Sequence, residues 1–100
     1  MADLQVVAVL VATEGSEDVV CGALAELVAP TRAEQGCLSY ELYASAADPR
    51  TFITVERWRD QAAADAHLQT PHIATAFQVA GDHLAAAPGI HPLVPVTDPL

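Results

Sequence analysis

Between Glu56 and His72 the chain gathers a carboxylate, its only tryptophan and two of its four histidines. Thr51 to Trp58 alternates as a strand does. Phe52, Thr54, Glu56 and Trp58 share one face, and Ile53, Val55 and Arg57 the other. A glutamate beside a tryptophan on a half-buried face needs a partner, because an unpaired buried carboxylate is costly. The nearest candidates in sequence are His67 and His72. Histidine changes charge near neutrality, so these residue types suit proton transfer. Each also has a plain structural role open to it. Glu56 can accept from a helix end or from Arg59, Trp58 and Tyr40 can be core, His67 can be a satisfied buried histidine, and His72 can face solvent.

Other chemistries lack their residues. There is no Gly-rich phosphate loop, so a nucleotide or flavin motif is missing. His67 and His72 lie five apart across Pro71, which is not the i,i+4 spacing of two metal ligands on one helix. No serine elbow or Cys–His signature occurs. Acid–base work by side chains in an apolar pocket is what remains. Net charge is −9, and the only basic residues besides histidine are Arg32, Arg50, Arg57 and Arg59. No basic patch is available to nucleic acid or to an anionic membrane, so a small neutral or aromatic ligand fits better. Arg57 and Arg59 read as solvated, with Glu41 across the hairpin or an acidic substrate as the other partners within reach. Cys21 and Cys37 have no disulfide or metal spacing and read as reduced and buried. Val6 to Ala12 is too short to span a bilayer and no basic leader precedes it, so the expected location is cytoplasmic.

The elements that must position these residues follow in order. Leu4 to Ala12 reads as a central strand buried on both faces. Ser16 caps a helix, with Glu17 and Asp18 in its first turn. That helix runs towards Glu34 with Val20, Leu24, Leu27 and Val28 on one stripe, a kink at Pro30 and a cap at Gly36. Cys37 to Ala44 is a second strand, with Leu38, Tyr40 and Leu42 on one face. Asp48-Pro49 turns it into the third strand. Asp60 caps a short helix to about Leu68. Thr70-Pro71 starts another, with Ile73, Phe77, Ala80, Leu84 and Ala87 at helical spacing as far as Pro88-Gly89. Ile90 to Val96 is a last strand, confined by Pro92 and Pro95 to an edge or to exchange with a partner chain. His83 and His91 read as surface residues. The order β-α-β-β-α-(α)-β is the split βαβ arrangement of ferredoxin-like α+β folds: one domain over residues 1–100, with its core at about 4–96 and a tail at 97–100. Its sheet is four-stranded and antiparallel, helices cover one face, and the apolar first strand predicts that a second copy covers the other.

The stretch GCLSYELY, Gly36 to Tyr43, followed by Phe52…Glu56-x-Trp58…His67…His72, resembles the antibiotic biosynthesis monooxygenase domain from about Val6 to Val96. The resemblance implies a dimeric α+β barrel. It also implies a cofactor-independent monooxygenase acting on an electron-rich aromatic, a quinol or anthrone, with dioxygen as co-substrate. In that setting His67 is the base and Glu56 its orienter. Trp58, Tyr40, Phe77 and His72 then surround the substrate, keeping bulk water from a reactive anion. The haem-degrading branch uses an Asn, a Trp and an iron-ligating His. This chain has no Asn, and places His67 and Phe77 at the Trp and His positions, which speaks against that branch. Two alternatives share the pocket: an isomerase or lyase that needs no oxygen, and a dimeric barrel that binds a metabolite without chemistry.

Overall fold

The structure is a computed structural model and describes residues 3–98; Met1, Ala2, Pro99 and Leu100, and with them the end of the expected tail, lie outside the described residues. The elements are β1 (Leu4–Val11), α1 (Glu17–Arg32), β2 (Cys37–Ala44), β3 (Thr51–Trp58), α2 (Gln61–His67), α3 (Pro71–Ala80), a 3₁₀ turn (Gly81–His83) and β4 (Gly89–Pro92). The four strands form one antiparallel sheet in the order β2-β3-β1-β4. This is the α+β, ferredoxin-like split βαβ fold. Among the described residues no helix is long and apolar enough to cross a membrane.

The sheet is two-faced because its strands alternate. On β1, Val6, Ala8 and Leu10 are buried under the helices. On β3, Phe52, Thr54, Glu56 and Trp58 are buried beside them, in register with Leu10, Ala8, Val6 and Leu4. The other face carries Val7, Val9, Val11 and Ile53, half-buried, with Val55 and Tyr43 exposed. Central β1 is thus fully covered on one face only.

Two apolar clusters sit under the helices. The larger joins Ala8, Leu10 and Phe52 to Val20, Leu24 and Leu27 of α1 and Ala76 and Ala80 of α3. The smaller joins Val6, Tyr40, Trp58 and Ala64. Thr54 and Glu56 fall between them on β3.

Local chemistry departs from the sequence reading along the chain. Ser16 precedes α1 but its side chain makes no cap bond; its hydroxyl meets Thr13 and His83 instead. α1 runs through Pro30 but stops at Arg32, so Glu34 lies in a turn. That turn is closed by the Glu34 amide on the Thr31 carbonyl and the Cys37 amide on the Glu34 carbonyl. Gly36 is no helix cap. A Cβ there would run into the Ala63 methyl of α2, and the Gly36 carbonyl accepts from the Arg59 amide at 2.8 Å. A bulge between Cys37 and Ser39 turns Cys37 inward, onto the Trp58 cluster, and leaves Leu38 exposed. α3 ends at Ala80. Leu84 leaves the helix and bridges Ala12 instead, because pairing with β1 satisfies backbone that another turn of helix would leave against the sheet. β4 is consequently short, with Pro92 at its end on the sheet edge, and residues 93–98 are exposed. Neither cysteine is fully buried; Cys21 is exposed.

The close approach at Gly36 gives a test. Gly36→Ala should cost about 1–3 kcal/mol of stability by overpacking. In urea melts the double variant with Ala63→Gly should recover part of that loss, a coupling that two independent substitutions would not show.

Candidate active site

The corner between α2 and α3 is built by two caps. The Asp60 carboxylate accepts from the Ala63 amide at 2.8 Å and starts α2. The Thr70 hydroxyl accepts from the Ile73 amide and starts α3, while donating to the His67 carbonyl at 2.8 Å. One side chain thus ends α2 and begins α3. This sets His67, the last residue of α2, and His72, in the first turn of α3, at a fixed angle: their ring centroids lie 6.0 Å apart.

Both imidazoles close on Glu34. His67 Nδ1 and His72 Nε2 each lie 2.7 Å from the same oxygen, Glu34 Oε2. His67 is 4% exposed; Glu34 and His72 are partly buried. The ligand atoms of the three lie within 4.8 Å of one another, a grouping that could hold a metal ion although the two histidines lack the i,i+4 spacing of ligands on one helix. As it stands, the Glu34 oxygen is placed to accept an N–H bond from each ring.

Glu56 has other partners. The Thr54 hydroxyl donates to its Oε2 at 2.6 Å and the Trp58 indole N–H to its Oε1 at 2.9 Å. The expected pairing of Glu56 with His67 is thus corrected: the residue bonded to His67 is Glu34. Glu56 is served by its own strand face, two residues either way, which a period-two reading could have shown. Glu34 escaped the sequence reading because a helix running to it would have carried it as one more solvated glutamate.

A cavity of about 60 Å³ opens where the two core clusters fail to meet. Val6, Ala8, Leu10, Leu24, Leu27, Ile73 and Phe77 make its apolar wall, and Tyr40, Thr54, Glu56 and His67 its polar one. Of the residues expected around a ligand, Tyr40 and Phe77 line it. Trp58 does not: it is fully buried behind His67, its ring 4.8 Å from the imidazole. His72 does not either. It borders a second, open hollow of about 590 Å³ between α1 and α3, beside Val19, Thr75 and Val79. Glu34 therefore links a ring on the inner cavity to a ring on the outer groove.

Burial pushes the Tyr40 phenol well above its ordinary value, and the nearby Glu56 carboxylate pushes the same way, with a smaller opposing pull from the Thr54 hydroxyl. Burial likewise raises the Cys37 thiol, helped by Glu34 and Glu56. Elsewhere, Glu41 pairs with Arg32, Arg57 with Asp3, and Arg59 with Asp60; Arg57 and Arg59 are exposed, and neither takes Glu41 across the hairpin. His91 is exposed as expected, whereas His83 is only half-exposed and meets the Ser16 hydroxyl at 3.0 Å.

A buried imidazole, a buried carboxylate and a protonated phenol thus stand around one largely apolar cavity. Residues 4–79 match the family described as antibiotic biosynthesis monooxygenase. The chain belongs to this family. A Mycobacterium tuberculosis relative named "Putative monooxygenase Rv0793" is 36% identical over 72 residues, 72% of this chain and 70% of that one. A Bacillus subtilis relative, "Putative monooxygenase YcnE", is 37% identical over 62 residues, 62% of this chain and 64% of that one. An uncharacterised Synechocystis protein is matched over only 40% of its length. The crystal structure of PA3566 from Pseudomonas aeruginosa superposes with a TM-score of 0.88 at 32% identity, covering 97% of each chain.

The Tyr40 environment makes a pH prediction. Its folded-state pKa is raised, so above the ordinary tyrosine value of about 10 the unfolded chain releases this proton while the folded chain keeps it. Stability should therefore be intact below that pH and fall as pH climbs beyond it. Urea melts at stepped alkaline pH should show a flatter decline for Tyr40→Phe than for wild type.

Proposed function

We propose that this protein is a cofactor-independent monooxygenase, acting as a homodimer on an electron-rich aromatic of the quinol or anthrone class. The observation that carries this reading is the cavity ring. His67 has one nitrogen held by Glu34, its Nε2 has no protein partner among the described residues and is not sealed in, and the ring lines an apolar cavity. Family membership supports the reaction class, and the pocket suits it.

Such substrates can themselves reduce dioxygen once deprotonated. For an anthrone, His67 takes a proton from the ring methylene. The carbanion passes one electron to dioxygen, and the two radicals join as a carbon-bound peroxide. Loss of water leaves a carbonyl, so one oxygen atom enters the product and the other leaves as water, with His67 returning its proton to that water. The protein's share is to accept the proton, hold the ring and exclude bulk water. The Thr54–Glu56–Trp58 chain holds the polar wall rigid, and the protonated Tyr40 phenol is available as a donor to oxygen charge on the substrate.

Size sets a condition. An empty cavity that takes benzene is about 150 Å³. The 60 Å³ here holds a few waters or dioxygen, so a ring must part the walls. Ile73 and Phe77, only partly buried, are the side chains free to give. The apolar outer face of the sheet supports the dimer: Val7, Val9, Val11, Ile53, Val55 and Tyr43 form a continuous surface that a second copy would cover.

Oxygen uptake with a panel of hydroquinones and anthrones is the direct test. Turnover should cease without oxygen, and His67→Ala should lower kcat by about 10²–10⁴, the usual worth of a general base. Turnover that continues anaerobically would instead indicate isomerase or lyase chemistry. Saturable binding without any turnover would indicate a carrier. Ala8→Val supplies a second check. Ala8 faces the cavity opposite Thr54, so the added methyls should fill it, leaving the urea midpoint equal or higher while weakening ring binding at least tenfold.

A further inference from the structure

We infer that Glu34 is the positioning residue of this site, and that it fixes which nitrogen of His67 carries the proton. The inference rests on the reading of His67 as the base, but its geometry stands apart from any substrate.

A carboxylate has no hydrogen to give, so the 2.7 Å contact from His67 Nδ1 to Glu34 Oε2 requires Nδ1 to be the protonated nitrogen. A neutral imidazole carries one N–H. Nε2 is then left as a bare lone pair, on the ring that lines the cavity. The ring cannot easily turn to swap the two nitrogens. It is 4% exposed, with Trp58 packed at 4.8 Å and Tyr40 at 5.7 Å between centroids. Once Nε2 has taken a proton, the imidazolium sits in a charge-assisted bond to Glu34 without any group having moved.

Glu34 is itself held. His72 Nε2 meets the same oxygen at 2.7 Å, so the carboxylate is gripped from α2 and from α3. The turn that carries it is fixed by the Gly36 approach to Ala63 and by backbone bonds to Thr31 and Cys37. Glu56 does not do this work: its bonds run to Thr54 and Trp58. The logic is that of a buried carboxylate orienting a catalytic imidazole, where the wrong tautomer alone can cost about 10⁴ in kcat.

The experiment separates tautomer from turnover. Long-range proton–nitrogen correlation spectra of the histidine-labelled protein should show His67 as the Nδ1–H tautomer in wild type. In Glu34→Ala it should move to Nε2–H, and in Glu34→Gln, close in shape should the alanine variant fail to fold, to a mixture. Against the hydroquinone panel both variants should lose about 10²–10⁴ in kcat with KM changed only a few-fold, and Glu34→Asp should recover part of it. An Nε2–H tautomer in wild type, or a kcat unmoved by loss of the carboxylate, would overturn the inference. The expected tautomer shift in a protein that turns over no hydroquinone or anthrone would support the role of Glu34 and overturn the oxygenase reading alone.

Discussion

Thr54 and Glu56 sit side by side on the buried face of a central strand, and the rest of the molecule is arranged around that fact. Phe52 before them and Trp58 after them each seed an apolar cluster. Between the clusters, β3 offers polar atoms where a larger aliphatic would have closed the core. β1 answers with Ala8 opposite Thr54, a side chain too small to fill the gap. The void follows from the choice of residues along one face of two strands. Left unpaired, a buried carboxylate would be hard to keep there; the Thr54 hydroxyl and the Trp58 indole make it tolerable.

A second constraint comes from outside the sheet. The imidazole over the gap is the last residue of a short helix, and such a residue is badly placed unless its surroundings are fixed. Thr70 locks it to the next helix, Asp60 sets the start of its own, and Gly36 lets the turn after α1 press against Ala63. That last contact delivers Glu34. The route from sequence to site therefore runs through a glycine whose lack of a side chain, not its conformational freedom, is what the structure uses.

How much of this was legible follows from the range of the interactions. Alternation along β3 gave the inward set Phe52, Thr54, Glu56 and Trp58, and turn chemistry at Asp48-Pro49 and Thr70-Pro71 gave the hairpin and the helix start. These are local signals. Glu34 was not legible, because its partners lie 33 and 38 residues away, and nothing in its neighbourhood sets it apart from other glutamates. Nor was the end of α3. The spacing of Leu84 and Ala87 suits a helix, but pairing with β1 claims that stretch, and tertiary context overrides pattern. Tyr40 and Phe77 line the cavity. Trp58 went behind it, since its indole N–H is engaged by Glu56 and its ring by the core.

The cavity is also a stability question. Sealed and empty, 60 Å³ would cost on the order of 1.5 kcal/mol by the usual scale of about 24 cal/mol per Å³, and water at the polar wall lowers that. The unrelieved cost would be a substantial share of what a domain of this size has to spare. A valine or leucine at position 8 would recover much of it, and such substitutions are easily found when nothing opposes them. The opposite face of the same sheet is apolar and only half-buried, so covering it would add stability without touching the gap. The half-covered face on one side and the gap on the other meet at β1, whose alternating side chains serve both.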